Sequence, residues 1–268
     1  MRHRLHVVGA LVGARAAGIG GEAAWQAGKA LRDNVLNVAG AMLQAKPEDL
    51  DIRNGIVVDK VSGTERLGLD GLVLHPGAAV GGTEDEGLRL VGEAAAAVLK
   101  ARKRQRVKLL FEHTAGQGSS LGWRFEHLHT LIALVDGTAR VGVCLDTCHL
   151  LAAGYDWRSP SGYRRTFDAF DALVGFDRLA VMHLNDSKKP CGSRVDRHAH
   201  IGQGEIGTIA FRRLVNDPRV ERLGMVIETP KQQDAPEADT FDRENLRVLR
   251  GLMRPPRRRR TIAACPHD

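Results

Sequence analysis

The chain has 268 residues, 43% of them hydrophobic, which is enough for one α/β barrel or two small domains. No apolar run is long enough for a membrane-spanning helix. The net charge of +7 is uneven: residues 254–268 carry five arginines and one aspartate, so residues 1–253 hold only +3. That Pro/Arg tail is expected to be disordered, and charge by itself does not establish nucleic-acid binding.

The opening MRHRLHVVGALVGARAAG is a weak match to a signal peptide. Gly and Arg break its apolar stretch, and LHVVGA reads better as a first strand. Ala23–Leu31 is expected to be helical. VLNVAG follows, then a mixed segment up to GLVLHPG. Gly87–Lys103 reads as an amphipathic helix whose basic C-terminal end complements the macrodipole. VKLLFE is the next strand and Trp123–Val135 the next helix. VGVCLD, a helix around Thr166–Val174, LAVMHLND, a helix around Thr208–Val215 and GMVIETP complete the series. Strands separated by helices imply βα units and a parallel sheet buried on both faces. The expectation is a single (β/α)8 barrel over residues 1–253, atypical over the first 70, with a doubly wound open sheet as the competing topology.

Five of these apolar runs end in a potential metal ligand: GLVLH at His75, VKLLFE at Glu112, VGVCLD at Asp146, LAVMH at His183 and GMVIE at Glu228. His149, Asp196 and His198 add three more. Singly, each has a plainer explanation. Asp146 is placed to N-cap a helix starting at Thr147, and Asp196 and His198 fit a surface charge cluster. Jointly, eight such side chains at strand ends and adjacent loops describe ligands aimed at one point. Imidazole plus carboxylate, without thiolate, suits Zn²⁺, Mn²⁺ or Fe²⁺. The set is large enough for two or three ions, the arrangement that clamps the attacking and leaving oxygens in phosphodiester hydrolysis. Cys144, Cys148, Cys191 and Cys265 form no CxxC pair, which fits a reducing, cytoplasmic setting. Cys144 and Cys148 are expected to be small buried residues.

FEHTAGQGSSLG, VGVCLDTCHLLAAGYD, HLNDSKKPCGSRVDRHAHIGQGEIG and VIETP resemble the endonuclease IV family of apurinic/apyrimidinic endonucleases, over roughly residues 72–233. The resemblance implies a TIM barrel with three zinc ions that nicks double-stranded DNA on the 5′ side of an abasic site. The products would be a 3′-hydroxyl and a 5′-deoxyribose phosphate, and the protein is expected to be monomeric. By this resemblance His75 binds the first zinc and Glu112 bridges the first two. Asp146, His183 and Glu228 complete the second; His149, Asp196 and His198 hold the third. Glu112 and Glu228 are the catalytic candidates. A metal-bridging hydroxide would attack phosphorus, and the abasic nucleotide would flip out of the duplex.

The N-terminal third departs from that pattern. The family carries a further zinc-binding histidine ahead of a Tyr-Leu-x-Asn-Leu strand, whose nearest counterpart here is Asp33 to Val38. That alignment places Leu31 at the ligand position and Asn34 at the tyrosine. Either Asp33 or His6 supplies the missing ligand, or the first zinc site is impaired. GIVVDKVSGTERLG, where the family has helix, is rich in poor helix formers. Lys188, Lys189, Arg194 and Arg197 form a basic cluster between His183 and His198, suited to contacting phosphates. His113 is expected to point away from Glu112. A divalent-metal sugar isomerase or epimerase would account for Glu112, Asp146, His183 and Glu228 alone, and a non-catalytic DNA-binding relative is a third reading. Neither explains all eight ligands as an active centre.

Overall fold

The computed structural model describes residues 4–7, 20–135, 140–231 and 240–254. The expected tail beyond Arg254, and the end of the LHVVGA segment, lie outside them. The described N-terminal elements are β1 (Arg4–Val7), α1 (Gly20–Leu43), β2 (Leu50–Arg53), β3 (Ile56–Asp59) and β4 (Glu65–Leu74). There follow α2 (Glu84–Ala101), β5 (Lys108–Glu112), α3 (Phe125–Leu134), β6 (Val141–Asp146), α4 (Thr147–Ala153) and α5 (Pro160–Leu173). The last are β7 (Leu179–His183), β8 (Asp186–Ser187), β9 (His198–Ala199), α6 (Thr208–Leu214), β10 (Gly224–Val226) and α7 (Thr240–Leu252).

β4, β5, β6, β7 and β10 pair side by side and parallel in chain order, and β1 pairs parallel with β4. The result is a curled parallel sheet, half of a barrel. Its strands are short apolar runs, and each helix between them has a local reason to start. Thr83 caps α2 by accepting from Glu86 N, three acidic residues fill the first turn and Lys100 the last. Ser159 accepts from Gly162 N, with Pro160 opening α5.

Alternate strand residues face opposite sides. Phe111, Val143, Leu145 and Met182 join Leu88, Leu128, Phe167 and Phe211 in the main core on the helix side. Val73, Leu110, Cys144 and Val181, with Val226 against them, form a smaller layer of their own on the other face.

The N-terminal part is built differently. β2 and β3 form an antiparallel hairpin that continues onto the first half of β4. Asn54 and Gly55 turn it with φ of +52° and +75°, as a tight hairpin turn requires. Asp59 Oδ1 accepts from the N–H groups of Val61 and Ser62, turning β3 into β4. The β-branched GIVVD run is therefore strand, as its composition indicated. The segment from Asp33 to Val38 is not. It lies inside α1, where Val35, Leu36 and Ala39 pack on Leu50, Val57 and Leu67 in a separate small core. Ala, Leu, Lys and Arg recur along Gly20–Leu43, and one apolar face buried on the hairpin carries the helix through its glycines and β-branched residues. Leu31 packs at the edge of this core, so its alignment with a strand-end ligand does not hold.

Candidate metal centre

The interior layer predicts the position of every strand-end ligand. Val73, Leu110, Cys144, Val181 and Val226 are followed two residues later by His75, Glu112, Asp146, His183 and Glu228. A two-residue step keeps the side chain on the same face, so each ligand stands directly above the layer, at the carboxyl end of its strand. His149 is brought in by α4, whose N-cap is Asp146: Oδ1 accepts from Cys148 N at 2.7 Å and His149 N at 3.0 Å. The capping role therefore coexists with the ligand role, because Oδ2 remains for the centre. Asp196 and His198 arrive on the loop between β8 and β9.

All eight expected ligands come together, seven of them in two groups and His75 beside Glu112. Glu112, Asp146, His183 and Glu228 form the first. His183 Nδ1 is 3.0 Å from Glu112 Oε1, 3.1 Å from Glu228 Oε2 and 3.8 Å from Asp146 Oδ2. In the second, Asp196 lies between two imidazoles, Oδ2 at 3.1 Å from His149 Nε2 and Oδ1 at 3.2 Å from His198 Nε2. Asp146 Oδ2 is 3.7 Å from His198 Nε2, which joins the two groups. His75 Nε2 touches Glu112 Oε2 at 3.1 Å.

The second group's rings are already oriented. His149 Nδ1 lies 2.9 Å from the His113 carbonyl and His198 Nδ1 lies 3.0 Å from that of Glu228. A carbonyl only accepts, so each Nδ1 keeps its proton and each Nε2 is the atom that would give a lone pair to a metal once deprotonated. Both Nε2 atoms are buried without a hydrogen-bond partner. Orphaned buried nitrogens aimed at a carboxylate fit a bound cation.

Burial alone would raise the Glu112 carboxyl, but contacts with His149, His183 and His75 hold it well below the usual range. Burial opposes charge on His149, yet Asp146, Asp196 and Glu112 push it well above an ordinary imidazole. His183 is also raised well above, against burial, by Cys144 and Glu112; with that thiol neutral, the Glu112 carboxylate is the charge responsible. His198 overcomes burial to reach about 9, through Asp146 and Asp196. Burial pushes the thiols of Cys144 and Cys148 up to about 12, which favours their neutral form.

Several supporting residues carry no ligand-like signal in the sequence. Asn185 ties Asp146 to the backbone of Glu228, and Thr147 Oγ1 donates to the Asn185 carbonyl at 2.7 Å. Asp186 is buried and accepts from the N–H groups of Ser187, Gly202, Gly204, Ile206 and Gly207. A side chain at Gly204 would stand 2.5 Å from Asp186 Oδ1, so the IGQGEIG glycines permit a close approach. Gln117 Oε1 accepts from Asp196 N at 3.0 Å. The Trp123 ring lies between the guanidinium groups of Arg194 (3.8 Å) and Arg124 (4.2 Å). The spacing of HLND and the AGQG turn were visible, but which strand each would reach was not.

His113 points away from the centre and is buried beside Phe125 and Tyr155. His200 meets Asn245 Nδ2 at 3.1 Å, a structural turn histidine. Lys188, Lys189, Arg194 and Arg197 are exposed on the loop that carries Asp196. Asp33 does not approach the ligands; it is exposed on α1 beside Arg32.

Residues 46–252 match the family model described as a xylose isomerase-like TIM barrel. The probable endonuclease 4 of Chloroflexus aggregans is 51% identical over 213 residues, covering 78% of this chain and 73% of that protein. The chain belongs to the endonuclease IV family. The probable endonuclease 4 of Geobacter sulfurreducens is 46% identical over 75% of this chain and 67% of that one. The crystal structure of endonuclease IV from Thermus thermophilus is 41% identical, with a TM-score of 0.56 over 69% of this chain. The aligned part spans 61% of the Thermus chain. As a member of this family the chain has a TIM-barrel fold, of which the half-barrel from β4 to β10 carries the ligands. Among the described residues no helix is long and apolar enough to cross a membrane.

Proposed function

We propose that this chain is a zinc-dependent DNA repair endonuclease. It cleaves the phosphodiester bond 5′ to an abasic site in double-stranded DNA, giving a 3′-hydroxyl and a 5′-deoxyribose phosphate, and acts as a cytoplasmic monomer. The observation that carries this reading is the junction of two donor groups at Asp146 Oδ2, 3.8 Å from His183 Nδ1 and 3.7 Å from His198 Nε2. Glu112, Asp146, His183 and Glu228 would hold one zinc, and His149, Asp196 and His198 a neighbouring one. Bound together, two such ions supply Lewis acidity and a hydroxide nucleophile at neutral pH. The names of the relatives support the nuclease reading, and the second group is one that a sugar isomerase would not require.

The protein's own residues define how the substrate would approach. Glu112, Asp146 and His183 are sealed from solvent, whereas the side chains of His75, Glu228 and Asp196 are 25%, 29% and 37% exposed. The scissile phosphate would therefore meet the centre along this exposed rim, with Glu228 nearest the reacting atoms and Glu112 fixed beneath it. Lys188, Lys189, Arg194 and Arg197 flank the rim on the Asp196 loop, where they would hold the backbone without reading sequence. Flipping the nucleotide out costs little when no base is left to unpair.

The decisive assay is cleavage of a duplex holding one abasic-site analogue. We expect a single nick on the 5′ side, abolished by a chelator and restored by zinc. An intact duplex after incubation with zinc-replete protein would sink this reading.

A further inference from the structure

We infer that the described residues build two metal positions and not three, and that His75 acts as a hydrogen-bond partner of Glu112 without holding an ion of its own. The inference rests on the zinc centre proposed above and fixes its stoichiometry.

A protein-held zinc ion takes three or four donor groups. The first group supplies four, Glu112, Asp146, His183 Nδ1 and Glu228. The second joins His149 and His198, which also group with Asp146, through Asp196, whose two oxygens face their Nε2 atoms at 3.1 and 3.2 Å. His75 remains. Among the described residues the one group of potential ligands that contains it is His75, Glu112 and His149. His149 cannot serve there as well as in the second group. Its Nδ1–H is donated to the His113 carbonyl at 2.9 Å, and its Nε2 faces Asp196 at 3.1 Å. A neutral imidazole has a single lone pair for a metal, and this one is turned the other way. What is left for a third ion is His75 and one carboxylate oxygen, Glu112 Oε2, of a residue already engaged with His183 through Oε1.

The N-terminal unit does not make good the shortage. Leu31 sits in the separate core of α1 and the hairpin, and Asp33 is 70% exposed beside Arg32. His6 lies on β1 directly before Val7, which pairs with Leu72. That register leaves His6 four residues short of His75, about 13 Å along a strand. Cys144 groups with Glu112 and His183 at the first position, not with His75.

Zinc per chain, measured by elemental mass spectrometry on the 268-residue protein after saturation with zinc and desalting, tests this directly. Two ions are expected, with two retained in His75→Ala and one in Asp196→Ala. His75→Gln, which keeps a side-chain N–H near Glu112, gives a second reading should the alanine variant fold poorly. Three ions in the unsubstituted protein, a count of one, or loss of an ion from a folded His75 variant would overturn the inference. A protein that holds two zinc ions yet leaves the abasic duplex intact would instead refute the proposed nuclease activity, with the two-ion centre standing.

Discussion

Asn185 Nδ2 lies 2.5 Å from Asp146 Oδ2, while Asn185 Oδ1 accepts from the backbone N–H of Glu228 at 2.7 Å. One buried amide thereby sets the distance between two strands that each carry a ligand. It also leaves Asp146 Oδ2 pointing toward His183 and His198 rather than free to rotate. Groups of this kind, a shell outside the ligands, typically change metal affinity or activity by about 10–100-fold when removed. Asn185→Ala is expected to lower zinc affinity at the Glu112–Asp146–His183–Glu228 position by that order. Competition against a chromophoric chelator measures it; an unchanged affinity in the folded variant would show that the amide merely packs.

Glu112 lies within 3.4 Å of three imidazoles, those of His75, His149 and His183. Glu112→Ala is expected to abolish abasic-site cleavage and to reduce zinc at the four-donor position. Asp196→Ala should remove the ion held between His149 and His198 while leaving the other. Metal analysis alongside the nicking assay checks both, and full zinc content in both variants would remove the basis of the assignment.

Trp123 latches the loop that brings Asp196 to the centre. Arg194 stacks on its face in the left-handed conformation, φ +52°, a region that non-glycine residues enter at a cost. Gln117 holds Asp196 N from the same neighbouring loop. Cation–π contacts contribute about 0.5–2 kcal/mol, depending on exposure. Trp123→Leu should therefore weaken zinc at the His149–Asp196–His198 position roughly 2- to 30-fold, with Trp123→Phe recovering most of the loss. Equal weakening at both metal positions would indicate general destabilisation instead of a latch.

Metal binding should release protons and weaken as pH falls. Without metal, neighbouring carboxylates favour the charged forms of His149 and His183 and hold His198 at about 9. A zinc ion takes the neutral ring, and each proton must leave. Titration calorimetry in buffers of different ionisation enthalpy would detect this release; buffer-independent heats would contradict it. Stability has the opposite sign in the chelated protein. A raised folded-state value stabilises fully below the unfolded value of ~6.5. For His198 that contribution is lost as pH rises through about 9. Chelated protein should thus lose thermal stability between about pH 7 and 9.5, and the zinc form should be less affected.

The sequence was most informative where local rules and global function coincide. A short apolar run that ends in a potential ligand announces both a buried strand and its point of convergence, so His75, Glu112, Asp146, His183 and Glu228 were legible from five short runs. Asp146-x-x-His149 and Asp196-x-His198 were legible as pairs because the chain spacing alone fixes their proximity. The N-terminal unit was not. Asp33 to Val38 has the look of a strand when aligned by composition, but burial of Val35, Leu36 and Ala39 against the hairpin decides for helix. The Asn54-Gly55 turn was the available signal for that hairpin.

The sequence by itself determined the candidate ligand types, their strand-end positions and the family, because side-chain chemistry and the short apolar runs are written along the chain. Tertiary structure alone decided how those ligands divide. Which ring nitrogen of His149 and His198 keeps its proton depends on carbonyls 36 and 30 residues away in sequence. Whether His75 has enough company to hold an ion depends on the register of β1 and the packing of α1. Such contacts between distant segments follow from how strands and helices pack, and no local pattern encodes them.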